Sequence, residues 1–280
     1  MTSVYDTRSC VLGEGPMWHP ERQQLFWFDI LGRKLLSRTG NQLMEWQFDE
    51  YVSAAGWVDQ DTLLMASASG LSKFDIATGA LDLVAALEDD NPVTRSNDGR
   101  ADPQGGFWIG TMGVNAEDGA GGIYRYYRGE LRKLFSNITI SNAICFSPSG
   151  DIAYFCDTPT RQIMAQTLDA QGWPLGDPTV FVDLNDAGVN PDGAVVDSEG
   201  NLWNAQWGAH RVACYGADGV LMQTVAFAAE QISCPAFGGS DLKTLYATSA
   251  AEGLDGDAEG RTYYHTFTDV VGQAEHQVIL

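Results

Sequence analysis

The chain has 280 residues, of which 37 are acidic and 16 are basic, so its formal net charge is −21. This charge argues against nucleic acid and anionic membrane surfaces as partners, because both are negatively charged. It also disfavours a polyanionic substrate unless a bound cation reverses the local field. With 44% hydrophobic residues and 8 tryptophans, the chain can bury a large core, and we expect it to be folded.

We expect no targeting segment and no membrane span. No apolar N-terminal stretch follows a basic region, and no apolar run reaches the ~18 residues that a spanning helix needs. The five cysteines are widely spaced and form no zinc-binding pattern. Such thiols are typical of a reduced, cytoplasmic protein.

Six segments share one pattern, a polar turn followed by an apolar, aromatic-rich strand. In chain order they are HPERQQLFWFD, DQDTLLMAS, DPQGGFWIGT, SPSGDIAYFCD, DSEGNLWNAQ and SDLKTLYATS. Their alignment places one residue of each in a single column: Phe26, Leu64, Trp108, Tyr154, Trp203 and Tyr246. The spacing of about 38 to 49 residues is typical of a four-stranded propeller blade.

Further short strands are predicted between these anchors, such as KLLSRT and QLMEWQF after the first and GIYRYY and ELRKLF after the third. Gly, Asp or Asn turns bound them, and no window has a long helical apolar period. We therefore predict an all-β fold, a single six-bladed β-propeller domain over residues 1–280 with four-stranded blades around a central channel. The N-terminal SVYDTRSCVL would complete the last blade beside TLYATS and RTYYHTF and hide an edge.

The residues just before each turn predict a shared site. Counting back 11 or 12 residues from each anchor reaches Glu14, Val52, Asn97, Asn142, Asp192 and Pro235. In equivalent blades these residues would lie at the start of each innermost strand and face the channel. Asx-Gly pairs also form simple turns, but four oxygen donors in one repeat phase, including Glu as a poor turn former, favour a common site.

Glu14, Asn142 and Asp192 offer two carboxylates and a carboxamide, which suit a hard divalent cation. A metal would also remove the repulsion between two buried carboxylates. Ca, Mg, Mn, Zn and Fe(II) all fit such ligands. A covalent nucleophile is not expected, because the chain has no GxSxG elbow and no Cys–His motif.

Five stretches resemble the gluconolactonase/regucalcin (SMP-30) family, in family order and over nearly the whole chain. They are GEGPMWHP, RSNDGRADPQGGFWIGTM, ISNAICFSPSGDIAYFCDT, NPDGAVVDSEGNLW and CPAFGGSDLKTLYATSA. The resemblance implies a six-bladed propeller that hydrolyses a small-molecule sugar lactone with one divalent metal in the channel. It implies Glu14, Asn142 and Asp192 as metal ligands and Arg95 and Asn97 as substrate contacts. The next substrate position would be Asn115 or Glu117.

For the chemistry, we expect Asp192 to act as general base as well as ligand. Asp98 is the alternative base, or it orients Arg95 or Arg100. Side chains over the channel mouth would select the lactone, with Met112–Gly122, Trp18, Trp57 and Trp207 as candidates.

Three other functions compete with sugar-lactone hydrolysis. The same site could hydrolyse an aryl ester or a phosphotriester, or the protein could be a calcium-binding regulator. A WD40-type interaction propeller is disfavoured, because its GH and WD dipeptides are absent.

Overall fold

The repeated turn–strand units form the second strands of six four-stranded antiparallel sheets, the blades of a propeller. The computed structural model describes residues 1–280. Blade 1 consists of β2 (Gly13–His19), β3 (Gln24–Asp29), β4 (Lys34–Thr39) and β5 (Gln42–Gln47). Blade 2 consists of β6 (Val52–Asp59), β7 (Thr62–Ser67), β8 (Gly70–Asp75) and β9 (Leu81–Ala86). Blade 3 consists of β10 (Thr94–Ala101), β11 (Phe107–Gly113), β12 (Gly121–Tyr127) and β13 (Glu130–Ile138).

The second half of the chain repeats this arrangement. Blade 4 consists of β14 (Ser141–Phe146), β15 (Ile152–Asp157), β16 (Gln162–Thr167) and β17 (Thr179–Asp183). Blade 5 consists of β18 (Asn190–Val196), β19 (Leu202–Trp207), β20 (Arg211–Tyr215) and β21 (Leu221–Ala226). Blade 6 consists of β22 (Gln231–Gly238), β23 (Thr244–Ala250), β24 (Thr262–Thr266) and β1 (Ser3–Asp6). The predicted all-β six-bladed propeller is confirmed.

Blade 6 joins the two ends of the chain. Its outer strand is β1, which pairs antiparallel with β24 and places Ser3 opposite Tyr264 and Val4 opposite Tyr263. This is the closure that the sequence predicted, and it covers an edge of β24 that would otherwise be open. The one helical segment is the 3₁₀ turn Thr158–Thr160. No helix has the length and apolar character needed to cross a membrane.

The anchor column of the sequence forms the core between blades, and all six anchors are buried. Trp108 packs edge-on against Phe146 of blade 4, with ring centroids 5.6 Å apart. Trp203 packs in the same way against Phe237 of blade 6, at 5.8 Å. Because burial of a large apolar side chain stabilises a fold by about 1.5–3 kcal/mol, these contacts hold neighbouring blades together around the channel.

Each innermost strand is interrupted by a β-bulge near its start. The shifts in pairing lie between Glu14 and Met17, Val52 and Ala54, Ser96 and Gly99, Asn142 and Cys145, Pro191 and Ala194, and Ile232 and Pro235. In a bulge, two residues stand opposite one, so neighbouring positions can turn toward the same side. Because every innermost strand has a bulge, the difference between 11-residue and 12-residue offsets comes from the anchors: Phe26 pairs nine residues back with Met17, whereas Trp108 pairs eight residues back with Arg100.

The pairing corrects the predicted equivalence in blades 2 and 6. Val52 pairs with Ser67, one position before the place that Glu14 and Asn142 occupy on their strands. Pro235 pairs with Ala247 beyond the bulge, so it does not occupy the position of the oxygen donors. Ser233 and Cys234 stand there instead, and the Ser233 hydroxyl contacts the carbonyl of Gly13 and the hydroxyl of Thr248. Blade 6 therefore uses this position to join blade 1.

A C-terminal strap, residues 270–280, closes the end of the channel where the innermost strands finish. The Gln273 side chain donates to the carbonyl oxygens of Phe146 and Val196, both at 3.1 Å. Further along, the Val278 amide donates to Trp57 O at 2.9 Å. Glu275 forms an ion pair with Arg100, and both side chains are almost fully buried. The channel is therefore open to ligands from the opposite end.

Candidate active site

A cavity of about 510 Å³ lies at the end of the channel where the innermost strands begin. Strand starts form its walls, and the ends of second strands with their following loops form its rim. Its volume is in the range of about 300–1,000 Å³ that is typical of small-molecule sites. The lining residues are Leu12, Glu14, Leu31, Arg95, Asn97, Met112, Val114, Asn115, Ala116, Ile140, Asn142, Thr158, Asn190, Asp192, Trp207 and Glu252.

Two carboxylates, Glu14 and Asp192, are buried in this cavity, with exposed fractions of 4% and 5%. Burial, followed by the nearby charge of Asp98, raises the pKa of Glu14 to about 8. Burial and then the charge of Glu14 raise the pKa of Asp192 well above its usual value. The Gly15 amide donates to Glu14 at 3.0 Å, but neither carboxylate has a salt-bridge partner. Two buried like charges without a cation are unfavourable when both are ionised.

Gly15 sets the position of Glu14 on the first innermost strand. Its φ is +52°, and an added Cβ would lie 2.2 Å from the carbonyl oxygen of Ser53 on blade 2. A side chain is excluded by this close approach as well as by the left-handed backbone. Glycine after Glu14 therefore lets the backbone of the first blade approach that of the second closely at this position.

Hydrogen bonds fix the carboxamide of Asn142. Its nitrogen donates to the Thr158 hydroxyl at 2.9 Å, and that hydroxyl donates to Pro191 O at 2.8 Å. The Asn97 side chain donates to Asn142 Oδ1 at 3.3 Å and to Ser141 O at 2.9 Å. The amide nitrogen of Asn142 is therefore engaged by Thr158, and its oxygen retains a lone pair for another partner.

Arg95 is the one basic side chain that lines the cavity, and it is buried, with 4% exposed. Its Nη1 donates to Asn97 Oδ1 at 2.8 Å and to Ser96 O at 2.9 Å. Its Nε has no hydrogen-bond partner. A buried donor without a partner is costly, so this nitrogen suits an oxygen atom of a bound ligand.

The description "SMP-30/Gluconolactonase/LRE-like region" names a family whose sequence model matches residues 12–251. These residues contain all six innermost strands and every residue that lines the cavity except Glu252. The chain belongs to this family.

Individual family members are similar over most of their length. The chain is 38% identical to the L-arabinolactonase of Azospirillum brasilense over 92% of this chain and 86% of that protein. It is 34% identical to the 6-deoxy-6-sulfogluconolactonase of Pseudomonas putida, over 86% and 84%. The crystal structure of a calcium-binding protein, regucalcin, from Agrobacterium tumefaciens is similar with a TM-score of 0.95 and 41% identity, over 99% of this chain and 97% of that one.

The donor set of the cavity fits a divalent cation. No three His, Cys, Asp or Glu side chains cluster as a metal site, so the third protein ligand would be a carboxamide oxygen. Glu14, Asn142 and Asp192 line the same cavity, and all-oxygen donors of this kind suit hard cations. A dication would also offset the charges of the two buried carboxylates. The assignment of these three residues as ligands stays a prediction.

Asp98 does not line the cavity. Its carboxylate accepts the Ile144 amide at 2.7 Å and so links blade 3 to blade 4. Burial raises its pKa to about 6, against the opposing effects of the Ile144 amide and Arg100. Arg95 is held by Asn97 instead of by Asp98. This placement disfavours Asp98 as the general base and gives it a structural hydrogen bond.

The predicted alternatives Asn115 and Glu117 have different positions. Asn115 lines the cavity, whereas Glu117 does not. Glu117 accepts the Asn115 side-chain amide at 2.9 Å and the Asn115 backbone amide at 3.0 Å. The geometry therefore favours Asn115 as the residue that faces a ligand, with Glu117 fixing its orientation.

Sequence reasoning missed several cavity residues. They are Thr158, Asn190 and Glu252. Of the three tryptophans that were predicted to lie over the channel mouth, Trp207 is the one that lines the cavity. Trp18 stacks on Tyr246, with ring centroids 5.7 Å apart, and is part of the core. Trp57 donates to the Glu275 carbonyl at 2.8 Å, at the strap. The loops after the second strands, compared in the repeat alignment, could have shown Thr158 and Glu252.

Proposed function

We propose that this protein hydrolyses the cyclic ester of a sugar lactone with the help of a divalent cation held by Glu14, Asn142 and Asp192. The single observation that carries the proposal is the cavity in which two buried carboxylates, an oriented carboxamide and a buried arginine with an unpartnered Nε face one space. Family membership makes the chain a lactone hydrolase. The names of its relatives cover different lactones, so they do not by themselves define the substrate.

Hydrolysis adds water to the lactone carbonyl carbon, breaks its bond to the ring oxygen and gives a sugar acid. The divalent cation, when bound, would polarise the carbonyl and stabilise the negative charge that develops on its oxygen. Asp192 accepts the proton of the attacking water, and that proton passes to the departing ring oxygen. Arg95 Nε donates to a ring or carbonyl oxygen, and Asn97 and Asn115 contact hydroxyl groups.

The size and polarity of the cavity favour hydrolysis over the calcium-regulator alternative. A cavity of about 510 Å³ is far larger than an ion requires. It also contains Arg95, whose guanidinium would bind a substrate oxygen and has no role in a site that holds only a cation. The cytoplasm is the proposed compartment, since all five cysteines are unpaired and buried.

The test is an assay of metal-free protein reloaded with one cation at a time. Acid release from a panel of aldonolactones would be followed with a pH indicator, beside an aryl ester and a phosphotriester. We expect lactone hydrolysis that is lost with chelator and restored by at least one cation. Full activity after chelation would contradict the cation's role, and faster turnover of the phosphotriester or aryl ester would favour the other hydrolase class.

A further inference from the structure

Glu252 lies on the rim of the cavity, in the loop after β23 of blade 6. It is exposed, and its carboxylate has no hydrogen bond and no ion pair with the rest of the protein. Other polar rim groups use part of their hydrogen-bonding capacity within the protein, since Asn115 Nδ2 donates to Glu117 and the Thr158 hydroxyl accepts from Asn142. Blade 6 stands across the channel from blade 3, so Glu252 and Asn115 flank the mouth from opposite sides. Glu252 is thus a carboxylate free to meet a ligand.

The charges that line the cavity give Glu252 a specific effect. They are the carboxylates of Glu14, Asp192 and Glu252 and the guanidinium of Arg95. If a dication offsets the two buried carboxylates, as the proposed function requires, Arg95 leaves one positive charge in the wall. That charge alone would attract an anionic ligand. The negative charge of Glu252 offsets the positive charge of Arg95, and it lies at the mouth of the cavity.

The pKa of Arg95 reflects the nearness of the Glu252 carboxylate to its guanidinium. Burial lowers the pKa of Arg95, while the negative charges of Glu14 and Glu252 act in the opposite direction. Interactions between charges are screened over about 8 Å at physiological salt, so Glu252 acts on groups inside the cavity as well as on those at its rim.

We infer that Glu252 is a specificity-determining residue that selects sugar lactones with an uncharged distal carbon and rejects those with a carboxylate, sulfonate or phosphate there. The inference rests on the proposed function, in which the cation beside the buried carboxylates polarises the ring carbonyl. With the carbonyl at that depth, we infer that the distal carbon extends toward the mouth. Hydroxyl groups on that carbon donate to the Glu252 carboxylate. An anionic group meets a like charge instead and leaves the carboxylate without a donor.

The experiment compares D-glucono-1,4-lactone with D-glucaro-1,4-lactone, which differ by a carboxylate in place of the terminal hydroxymethyl group. We expect the wild type to prefer the neutral lactone on the order of tenfold in kcat/KM, with a preference that weakens at high salt. Glu252→Gln should raise kcat/KM for the anionic lactone by about tenfold, mainly through KM. The matched control is Asp255→Asn, which removes a charge from an exposed residue of the same loop that does not line the cavity.

A binding measurement provides a second readout that does not depend on turnover. Titration calorimetry should show Glu252→Gln binding glucarate more tightly relative to gluconate than the wild type does, and Asp255→Asn should not. Equal wild-type rates on the two lactones, or an unchanged preference in Glu252→Gln, would overturn this inference alone. Hydrolysis of no lactone of the aldonolactone panel by the cation-loaded wild type would overturn the proposed function and this inference with it.

Discussion

The side-chain nitrogen of Asn142 donates to the hydroxyl of Thr158 over 2.9 Å, and this contact orients the carboxamide at the wall of the cavity. Thr158 lies in the 3₁₀ turn that follows the second strand of blade 4, and Asn142 lies on the innermost strand of the same blade. The turn and the innermost strand thus place the Thr158 hydroxyl beside Asn142, the predicted ligand that it orients.

Thr158→Val should weaken cation binding, because it keeps the side-chain shape but removes the hydroxyl that holds Asn142. Loss of a partner that orients a metal ligand typically costs about 10–100-fold in metal affinity or activity. Titration calorimetry with the cation that restores activity measures the affinity, and Thr158→Ser should retain most of it. Equal affinity in Thr158→Val and wild type would show that this contact does not position a ligand.

The cation-free protein should lose stability as the pH rises through neutrality. In the folded state the pKa of Glu14 is about 8, and that of Asp192 is also raised. Below about pH 3 both folded and unfolded chains hold these protons, so the groups do not favour either state. At higher pH the unfolded chain releases protons that the folded chain still binds. The free energy of unfolding therefore falls, and the contribution of Glu14 to this loss is complete above about pH 8.

Calorimetric melting between pH 5 and pH 9 in the presence of chelator would measure this dependence. A saturating divalent cation should flatten it, since the carboxylates would then be ionised in the folded state. The double variant Glu14→Gln, Asp192→Asn should flatten it without any cation. A pH dependence in the double variant equal to that of the wild type would assign the effect to other groups.

Arg95→Lys should lower kcat/KM for the lactone by roughly tenfold or more. Lysine keeps the charge but lacks the planar guanidinium, whose nitrogens can donate to Asn97 and to a ligand at the same time. Steady-state kinetics on the best lactone of the panel measure the effect. Arg132→Lys, at an exposed arginine of blade 3, is the matched control and should leave kcat/KM unchanged. Unchanged kinetics in Arg95→Lys would show that the guanidinium does not contact the substrate.

Glu275→Ala should destabilise the fold by about 3–5 kcal/mol, because it leaves Arg100 buried without its partner. Urea unfolding measures the loss. Glu130→Ala breaks an exposed pair with Arg132 and should change stability by no more than about 1 kcal/mol. Similar small effects in both variants would mean that the strap is not held by the buried pair.

The sequence predicted the fold well because the propeller repeats one local pattern. Turn residues and buried aromatics recur in each blade, so Phe26 and Trp108 could be aligned without any knowledge of the structure. The same repetition indicated that Glu14, Asn142 and Asp192 lie around one channel, and they do line one cavity. Their chemical roles stay predictions.

Other features depend on contacts that no repeat encodes. The prediction for Pro235 is wrong because its anchor, Tyr246, pairs with Ala236 ten residues back, whereas Trp203 pairs with Val195 eight residues back. Asp98 is predicted as the alternative base, and its hydrogen bond to Ile144 of the next blade, which disfavours that role, leaves no local signal in the sequence. The strap residue Glu275 reaches Arg100 across 175 positions of sequence, and such a long-range pairing leaves no local pattern.

The most direct test of the account is anomalous diffraction from crystals soaked with manganese at the energy of its absorption edge. We predict one strong peak in the cavity, bounded by Glu14, Asn142 Oδ1 and Asp192, which disappears in Asp192→Asn crystals. A cavity without a peak, in crystals of a preparation that hydrolyses lactones with manganese, would contradict the proposed cation site.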